Sequence, residues 1–349
     1  MSAASRSTSN EDESQMMTKT DKEIAVRGRT VRVPAAHLDG RTVIVTGRFV
    51  RVARVHDGEF VEGQVIPNPV DFIAKMAESG LRADMLTFPQ KIYDREPQHA
   101  YAFEWDNAAV TSTLSYSEWW DGLSQVSRKN VRRAGKRGVS VEVATFDDEF
   151  VRGVKEIYDE TPVRQGRRFW HFGKDLETIR AENSSYLDRS DFIGAYHAGE
   201  LIGFMKCVYV DNVAIIMQIV SKAAHNDKRP MNALIAKAIE VCQARGVAYL
   251  VYSKFTYGNK TGSDIAEFKR RNGFVQMDYP RYFVPLTLRG RVAFALKLHR
   301  GLGGLLPSGV THLLLQIRAG LMDLVSTGRA WTSQIPTKGS SPATEGGTE

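Results

Sequence analysis

Only two cysteines, Cys207 and Cys242, occur in 349 residues, and both lie inside apolar segments. That excludes a disulfide scaffold and a cysteine-based zinc site, and both read as buried thiols. No uninterrupted apolar run is long enough to span a bilayer. The N-terminus is rich in Ser, Thr and Glu rather than basic then apolar, which excludes a secretory signal of the usual kind. There is no Ser/His/Asp set, no metal-ligand spacing and no Walker-type phosphate loop, so no metal is expected. Acidic residues are outnumbered, 40 Asp and Glu against 47 Lys and Arg. The excess of positive charge favours an anionic partner: a nucleotide cofactor, tRNA, a phosphorylated precursor or a membrane surface. With 42% hydrophobic residues the chain can bury a sizeable core as one large domain or two. It is expected to be cytoplasmic.

The chain is organised around Asn212–Gly246. Val213-Ala-Ile-Ile-Met-Gln-Ile-Val220 is long enough for one strand buried on both faces. A polar loop follows, and Pro230 suits the first turn of a helix, where its missing N–H is not needed. Leu234, Ala238 and Cys242 share one face of that helix, Ile235 and Ile239 lie beside them, and Lys237, Glu240 and Gln243 point away. Gly246 closes it, and Val247–Tyr252 reads as the next strand. Such a strand–loop–helix–strand unit presents a helix N-terminus suited to an anion.

Elsewhere the polar ends, 1–24 and 333–349, are expected to be disordered. Strands are expected over Thr42–Val55 and Phe60–Ile66, joined at Asp57-Gly58. A helix from Asn68-Pro69 should point Phe72, Met76 and Leu81 inward. Met85–Phe88 and Tyr101–Leu114 read as extended, Ser115–Gly138 as one helix, Val139–Ala144 as a half-buried strand and Asp147–Asp159 as a helix. Phe192–Tyr196 and Leu201–Tyr209 pair through a turn at Ala198-Gly199 and lead into the central strand. A helix over Ser263–Arg271 stops at Asn272-Gly273, and Val275–Thr287 supplies the last strands.

Two basic clusters stand out. Arg128, Arg132, Lys136 and Lys129, Arg133, Arg137 form adjacent i, i+4, i+8 rows, one dense cationic face whose mutual repulsion a bound polyanion would relieve. The same run is also compatible with a solvated face. Thr161–Lys174 is a loop that carries Arg164, Gln165, Arg167, Arg168, Trp170 and His171. Guanidinium forks bind carboxylates and phosphates and an indole can carry a sugar ring, so it is a candidate acceptor loop. The alternative is a clasp, with its aromatics pinned to the core.

Three antiparallel strands, helix, strand, helix, strand is an order that resembles the GNAT acyltransferase fold, and more narrowly its Fem-type branch of tandem lobes. Ser127-Arg-Lys-Asn-Val-Arg-Arg-Ala-Gly-Lys-Arg-Gly-Val-Ser-Val-Glu142 is similar to the basic helix and following strand of Fem-like proteins. Phe268-Lys-Arg-Arg-Asn-Gly-Phe274 is similar to the end of the fourth GNAT helix. The resemblance implies an α/β (α+β) fold, a GNAT-like mixed sheet flanked by helices. It places a degenerate N-terminal lobe at 25–114 and an acyltransferase lobe at 115–290. It further implies transfer of an acyl group, acetyl or aminoacyl, from acetyl-CoA, another acyl-CoA or aminoacyl-tRNA to an amine. The acceptor would be a small molecule, saccharide or peptide related to the cell envelope or to polysaccharide. By the same resemblance Gln218, Ile219 and Val220, with Lys228, Arg229, Met231 and Asn232, face the donor. Tyr252, Lys254 and Tyr257 lie nearest the reaction centre, Tyr257 as proton donor and Lys254 as electrostatic help. Arg164, Gln165, Arg167, Trp170 and His171 line the acceptor groove.

Two features depart from the GNAT pattern. The loop Asn226-Asp-Lys-Arg-Pro-Met-Asn-Ala233 holds no glycine where small residues let amides approach a pyrophosphate. Lys269 stands where many GNAT enzymes place a tyrosine, and "Phe-Lys" there is similar to Fem-type transferases. Residues 291–332 are Leu-rich and basic, with Val310, Leu314, Ile317, Leu321 and Leu324 on one helical stripe. That stripe fits packing across the lobes or peripheral contact with the inner face of a membrane. The competing class is a catalytically inactive GNAT-like module that binds RNA or anionic lipid through its basic helix.

Overall fold

The computed structural model describes residues 19–26, 29–57, 65–164, 167–257 and 264–300. Strands β1 (Thr20–Val26), β2 (Arg29–Leu38), β3 (Arg41–Thr46) and β4 (Val52–Val55) form an antiparallel meander. Helix α1 (Pro69–Glu78) is capped by Asn68 and buries Phe72 and Met76, and it returns the chain to β5 (Met85–Pro89), parallel to β4. Next come β6 (Ala102–Ser112), α2 (Tyr116–Gly122), α3 (Gln125–Lys136), β7 (Val139–Ala144) and α4 (Asp148–Asp159). A two-residue ribbon, β8 (Val163–Arg164) and β9 (Arg167–Arg168), precedes α5 (Leu176–Asn183). A second meander follows, β10 (Ser190–His197), β11 (Glu200–Val210) and β12 (Val213–Ser221). Then α6 (Pro230–Ala244), β13 (Tyr249–Val251), α7 (Asp264–Arg271), β14 (Val275–Pro285) and α8 (Leu288–Ala295) complete the described chain.

All strands but the ribbon join one sheet in the order β1-β2-β3-β4-β5-β14-β6-β13-β12-β11-β10-β7. Taken from each edge to the centre, its halves are β1-β2-β3-β4-β5-β14 and β7-β10-β11-β12-β13-β6. Among the described residues the only parallel pairs, β4 with β5 and β12 with β13, fall at matching places. The halves are therefore two tandem lobes of one design that exchange strands: β6 follows the first lobe's β5 yet pairs with β13, while β14 pairs with β5. The described part of the first lobe has no helices between its first two strands, where the second lobe inserts α4 and α5. In that sense it is degenerate. The two halves belong to one compact unit, which ends at His299.

Several expectations change. The strand Thr20–Val26 begins within the stretch 1–24 expected to be disordered. The expected strand over Thr42–Val55 is two, folded back at Gly47, whose φ of +101° only glycine adopts without strain. The expected strand over 60–66 lies mostly outside the described residues. The single helix over Ser115–Gly138 breaks at Leu123, which is buried in the core, and Ser124 caps the second piece. The last strands are one long strand, β14. The amphipathic stripe from Val310 to Leu324 lies outside the described residues.

Candidate active site

β12 and β13 pair over three residues only, Val213 with Tyr249, Ala214 with Leu250 and Ile215 with Val251. Beyond that β13 turns to β6, the Tyr252 N–H donating to the Ala109 carbonyl at 2.8 Å, while β12 runs on along β11 to Ser221. The result is a fork. A bulge sits at its base: Lys206 faces Gln218 and Cys207 faces Ile216, so Met217 is an extra residue. Bulges re-aim side chains, and here Met217 and Gln218 both line the same cleft. The first half of β12 is fully buried, whereas Met217–Val220, which includes Ile219, is only half-buried.

That cleft, of about 680 Å³, is walled by Ile24, Arg54 and His56 from the first lobe and by Trp170, His171 and Gln218 from the second. The second-lobe wall is rigid. His171 is 6% exposed and stacks on Tyr158 and Trp170 at centroid distances of 4.2 and 3.7 Å. Gln218 Nε2 donates to Tyr158 Oη at 2.5 Å and lies 3.3 Å from His171 Nε2. Burial first, then the charges of Lys174 and Arg164, pushes the His171 pKa down to about 3. The ring is therefore neutral at any working pH, a wall rather than a base matched to neutral pH. Trp170 is half exposed and presents an indole to the cleft.

Arg164 is committed to the fold. It donates to the carbonyls of Ser221 and Ile157, each at 2.8 Å, and to Glu160 at 3.2 Å, and it lies over the Phe169 ring. Both terminal nitrogens of the fork are thus engaged within the fold, an arrangement that matches a clasp between the end of β12 and the end of α4. Arg164→Ala is expected to cost about 2–3 kcal/mol of stability, since it removes charged hydrogen bonds to buried carbonyls. A lowered denaturant midpoint with intact secondary structure checks this. Arg167 lies in β9, paired with Arg164; Gln165 lies outside the described residues.

Across the fork α7 supplies Lys269, a lysine with 1% exposure. Its ammonium donates to the Lys254 carbonyl at 2.5 Å and lies 4.5 and 5.2 Å from the ring centres of Tyr252 and Tyr257. Burial pushes its pKa down to about 8, and the ring faces favour the charged form. Burial likewise pushes the Tyr252 phenol up to about 12. Tyr257 is half exposed and donates to Ser253 Oγ at 3.1 Å. Lys254 is tied to Asp106 at 2.9 Å, and Asp106 also holds Arg281 at 2.7 Å. Burial by itself would raise the Asp106 pKa, but Arg281 and Lys254 hold it below the usual carboxylate range. Tyr252 and Tyr257 thus meet around a fourth residue, Lys269, whereas Lys254 contributes its carbonyl there and keeps its ammonium on Asp106. Its signal was present in Phe268-Lys269 but pointed only to a departure from a pattern.

The loop before α6 is occupied from within. Glu160 accepts from the Ala223 and Ala224 N–H groups at 2.6 and 2.8 Å. Asp227 forms ion pairs with Arg137 and, at 3.7 Å, with Lys228. Arg229 takes φ +62° before Pro230, whose ring nitrogen has no hydrogen to donate, and Asn232 is buried against Asn272 at 2.8 Å. Met231 is half-buried beside it. Glu160 takes two amides at the start of this stretch, Asp227 takes up the charges of Arg137 and Lys228, and Pro230 has no N–H, so few donors of the loop are left for the diphosphate of CoA. Beside the loop α3 carries Lys129, Arg133 and Lys136, none in an ion pair with a described residue, whereas Arg128 pairs with Asp121. Among the described residues no cluster of His, Cys, Asp and Glu could hold a metal, and no helix is long and apolar enough to cross a membrane.

No protein-family model and no curated protein sequence matches the chain. Among solved structures, the crystal structure of FemX superposes with a TM-score of 0.52 at 10% identity, covering 81% of this chain and 92% of FemX. The L-PGS structure from Bacillus licheniformis gives 0.46 at 15% identity, covering 74% and 86%. A tandem GNAT protein from the clavulanic acid biosynthesis pathway gives 0.39 at 14%, covering 74% and 80%. The chain has a GNAT fold in the tandem, Fem-like arrangement, and at these identities the likeness concerns the fold.

Proposed function

We propose that the chain is an N-acyltransferase that moves an aminoacyl group from tRNA to an amine on an acceptor related to the cell envelope or to polysaccharide. The observation that carries the reading is the buried Lys269 ammonium, held between two tyrosines just past the end of β13. In acyl transfer an amine attacks the ester carbonyl, a C–N bond forms and the oxygen takes up negative charge. The C–O bond then breaks while the amine loses a proton. A fixed ammonium in a water-poor site stabilises that oxygen far better than one in bulk water. Tyr257, with its hydroxyl on Ser253, protonates the leaving oxygen. Trp170, His171 and Gln218 form one wall of the acceptor cleft and hold its shape rather than its protons.

The choice of donor follows from the loop and α3. Glu160 and Asp227 oppose a diphosphate, whereas Lys129, Arg133 and Lys136 offer three cations to a phosphate backbone. Affinity for aminoacyl-tRNA is expected to fall steeply with salt, and reversing the three charges should flatten the log–log slope by about three. Filter binding over a salt series checks the slope, and calorimetry checks acetyl-CoA, for which no binding is expected. Tight acetyl-CoA binding with an unchanged tRNA slope would return the donor to the acyl-CoA class. If neither donor binds and no transfer occurs, the inactive-module reading replaces this one.

A further inference from the structure

Independently of the transferase reading, one surface of the first lobe lacks a partner among the described residues. The hairpin between β3 and β4 carries Phe49 at its tip with 83% exposure, and α8 lays Leu288, Val292 and Leu296 along one outer stripe, all exposed. Between them lies a shallow groove of about 640 Å³ lined by Phe49, Val50, Val292, Ala293 and Leu298. The inner face of α8 is accounted for: Gly290 sits where a Cβ would collide with the Asp84 carbonyl, and Phe294 packs on Phe283 and His299. The outer face is apolar by choice of residues at i, i+4 and i+8.

Its rim is of one sign. Arg48, Arg289, Arg291 and Lys297 surround the stripe, all exposed, and none forms an ion pair with a described residue. From residue 279 to residue 322 the sequence contains no Asp or Glu. A protein-binding patch ordinarily mixes charges at its rim, whereas an apolar strip ringed only by cations matches an anionic lipid interface.

We propose that the Phe49 hairpin tip and the outer face of α8 form a docking surface for anionic membrane lipid, with the apolar side chains entering the headgroup–acyl boundary and the arginines on phosphates. The test is flotation of the full-length protein with vesicles of phosphatidylcholine alone and of phosphatidylcholine mixed with phosphatidylglycerol. The protein is expected to float with the anionic vesicles only, and to be released by high salt. Phe49→Glu combined with Val292→Glu should weaken partitioning at least tenfold. Arg289→Glu with Arg291→Glu should do so by about fivefold per charge. All four positions are exposed, so melting temperatures should stay within a few degrees of the parent. Equal flotation of parent and variants overturns the proposal, because binding then resides elsewhere in the chain. Absence of flotation of the parent overturns it too. So does a dimer of the parent that Phe49→Glu dissociates without altering flotation, which would make the patch a contact between two copies.

Discussion

Lys269→Met is expected to slow acyl transfer about 100- to 1000-fold, the range typical of removing one preorganised charge or donor at a developing oxyanion. Donor and acceptor affinities should change little, since the ammonium is buried below the fork. Methionine fills a similar volume, so the fold should persist. A pH series separates this from general damage. The folded lysine has a pKa near 8, well below its unfolded value of about 10.4. Folding is therefore penalised wherever the unfolded chain is protonated and the folded one resists it. The penalty is full below pH 8 and disappears as pH rises toward 10.4. Wild-type protein should gain stability over that window by an increment that Lys269→Met lacks. Lys206, also buried with a pKa lowered to about 8, contributes equally to both, so the difference isolates Lys269. The rate of the wild type should fall above pH 8 as the ammonium is lost. Steady-state kinetics and thermal melts over the same buffers measure both.

The second large effect is on stability. Asp106→Ala is expected to cost about 3–5 kcal/mol, because it leaves the Arg281 guanidinium, itself mostly buried, without its carboxylate. Asp106 sits on β6 opposite Tyr279 of β14, where the two lobes exchange strands, so the loss falls on the join between them. Its folded pKa lies below the unfolded one. The stabilisation is thus complete above about pH 4 and fades as acid titrates the folded carboxyl. Chemical denaturation over a series from pH 7 to below pH 4 should show the gap between Asp106→Ala and wild type constant down to about pH 4 and narrowing only below it.

The second meander, α6 and β13 were legible because local chemistry marks them: an apolar run, Pro230 in a first turn, Gly246 after the last. Strand exchange was not. β6 and β14 pair Phe103 with Tyr282 and Asp106 with Tyr279, partners more than 170 residues apart that leave no short-range pattern in either strand. The break at Leu123 was hidden for a related reason. Its side chain fits a continuous helical stripe equally well, and only the core it enters sets the bend. Arg164 and Lys269 show the limit for sites. A loop arginine looks the same in sequence whether its fork meets a ligand or the carbonyls of Ile157 and Ser221. A helix lysine looks solvated until α7 is laid over Tyr252. In sequence Trp170 and His171 read as acceptor-side residues and Gln218 as donor-side, yet the bulge at Met217 and the stack on Tyr158 bring them to one wall.

Discharge of a charged tRNA by the full-length protein is the most direct test of a transfer centre at the fork. With excess protein, aminoacyl-tRNA and a simple primary amine such as glycinamide, single-turnover mixing followed by mass spectrometry should show accelerated loss of the ester and appearance of the corresponding amide. Lys269→Met, bound to the same tRNA, should discharge it at least about 100-fold more slowly. No acceleration by folded, tRNA-bound wild-type protein, or equal rates for wild type and Lys269→Met, would contradict a transfer centre at the β12–β13 fork.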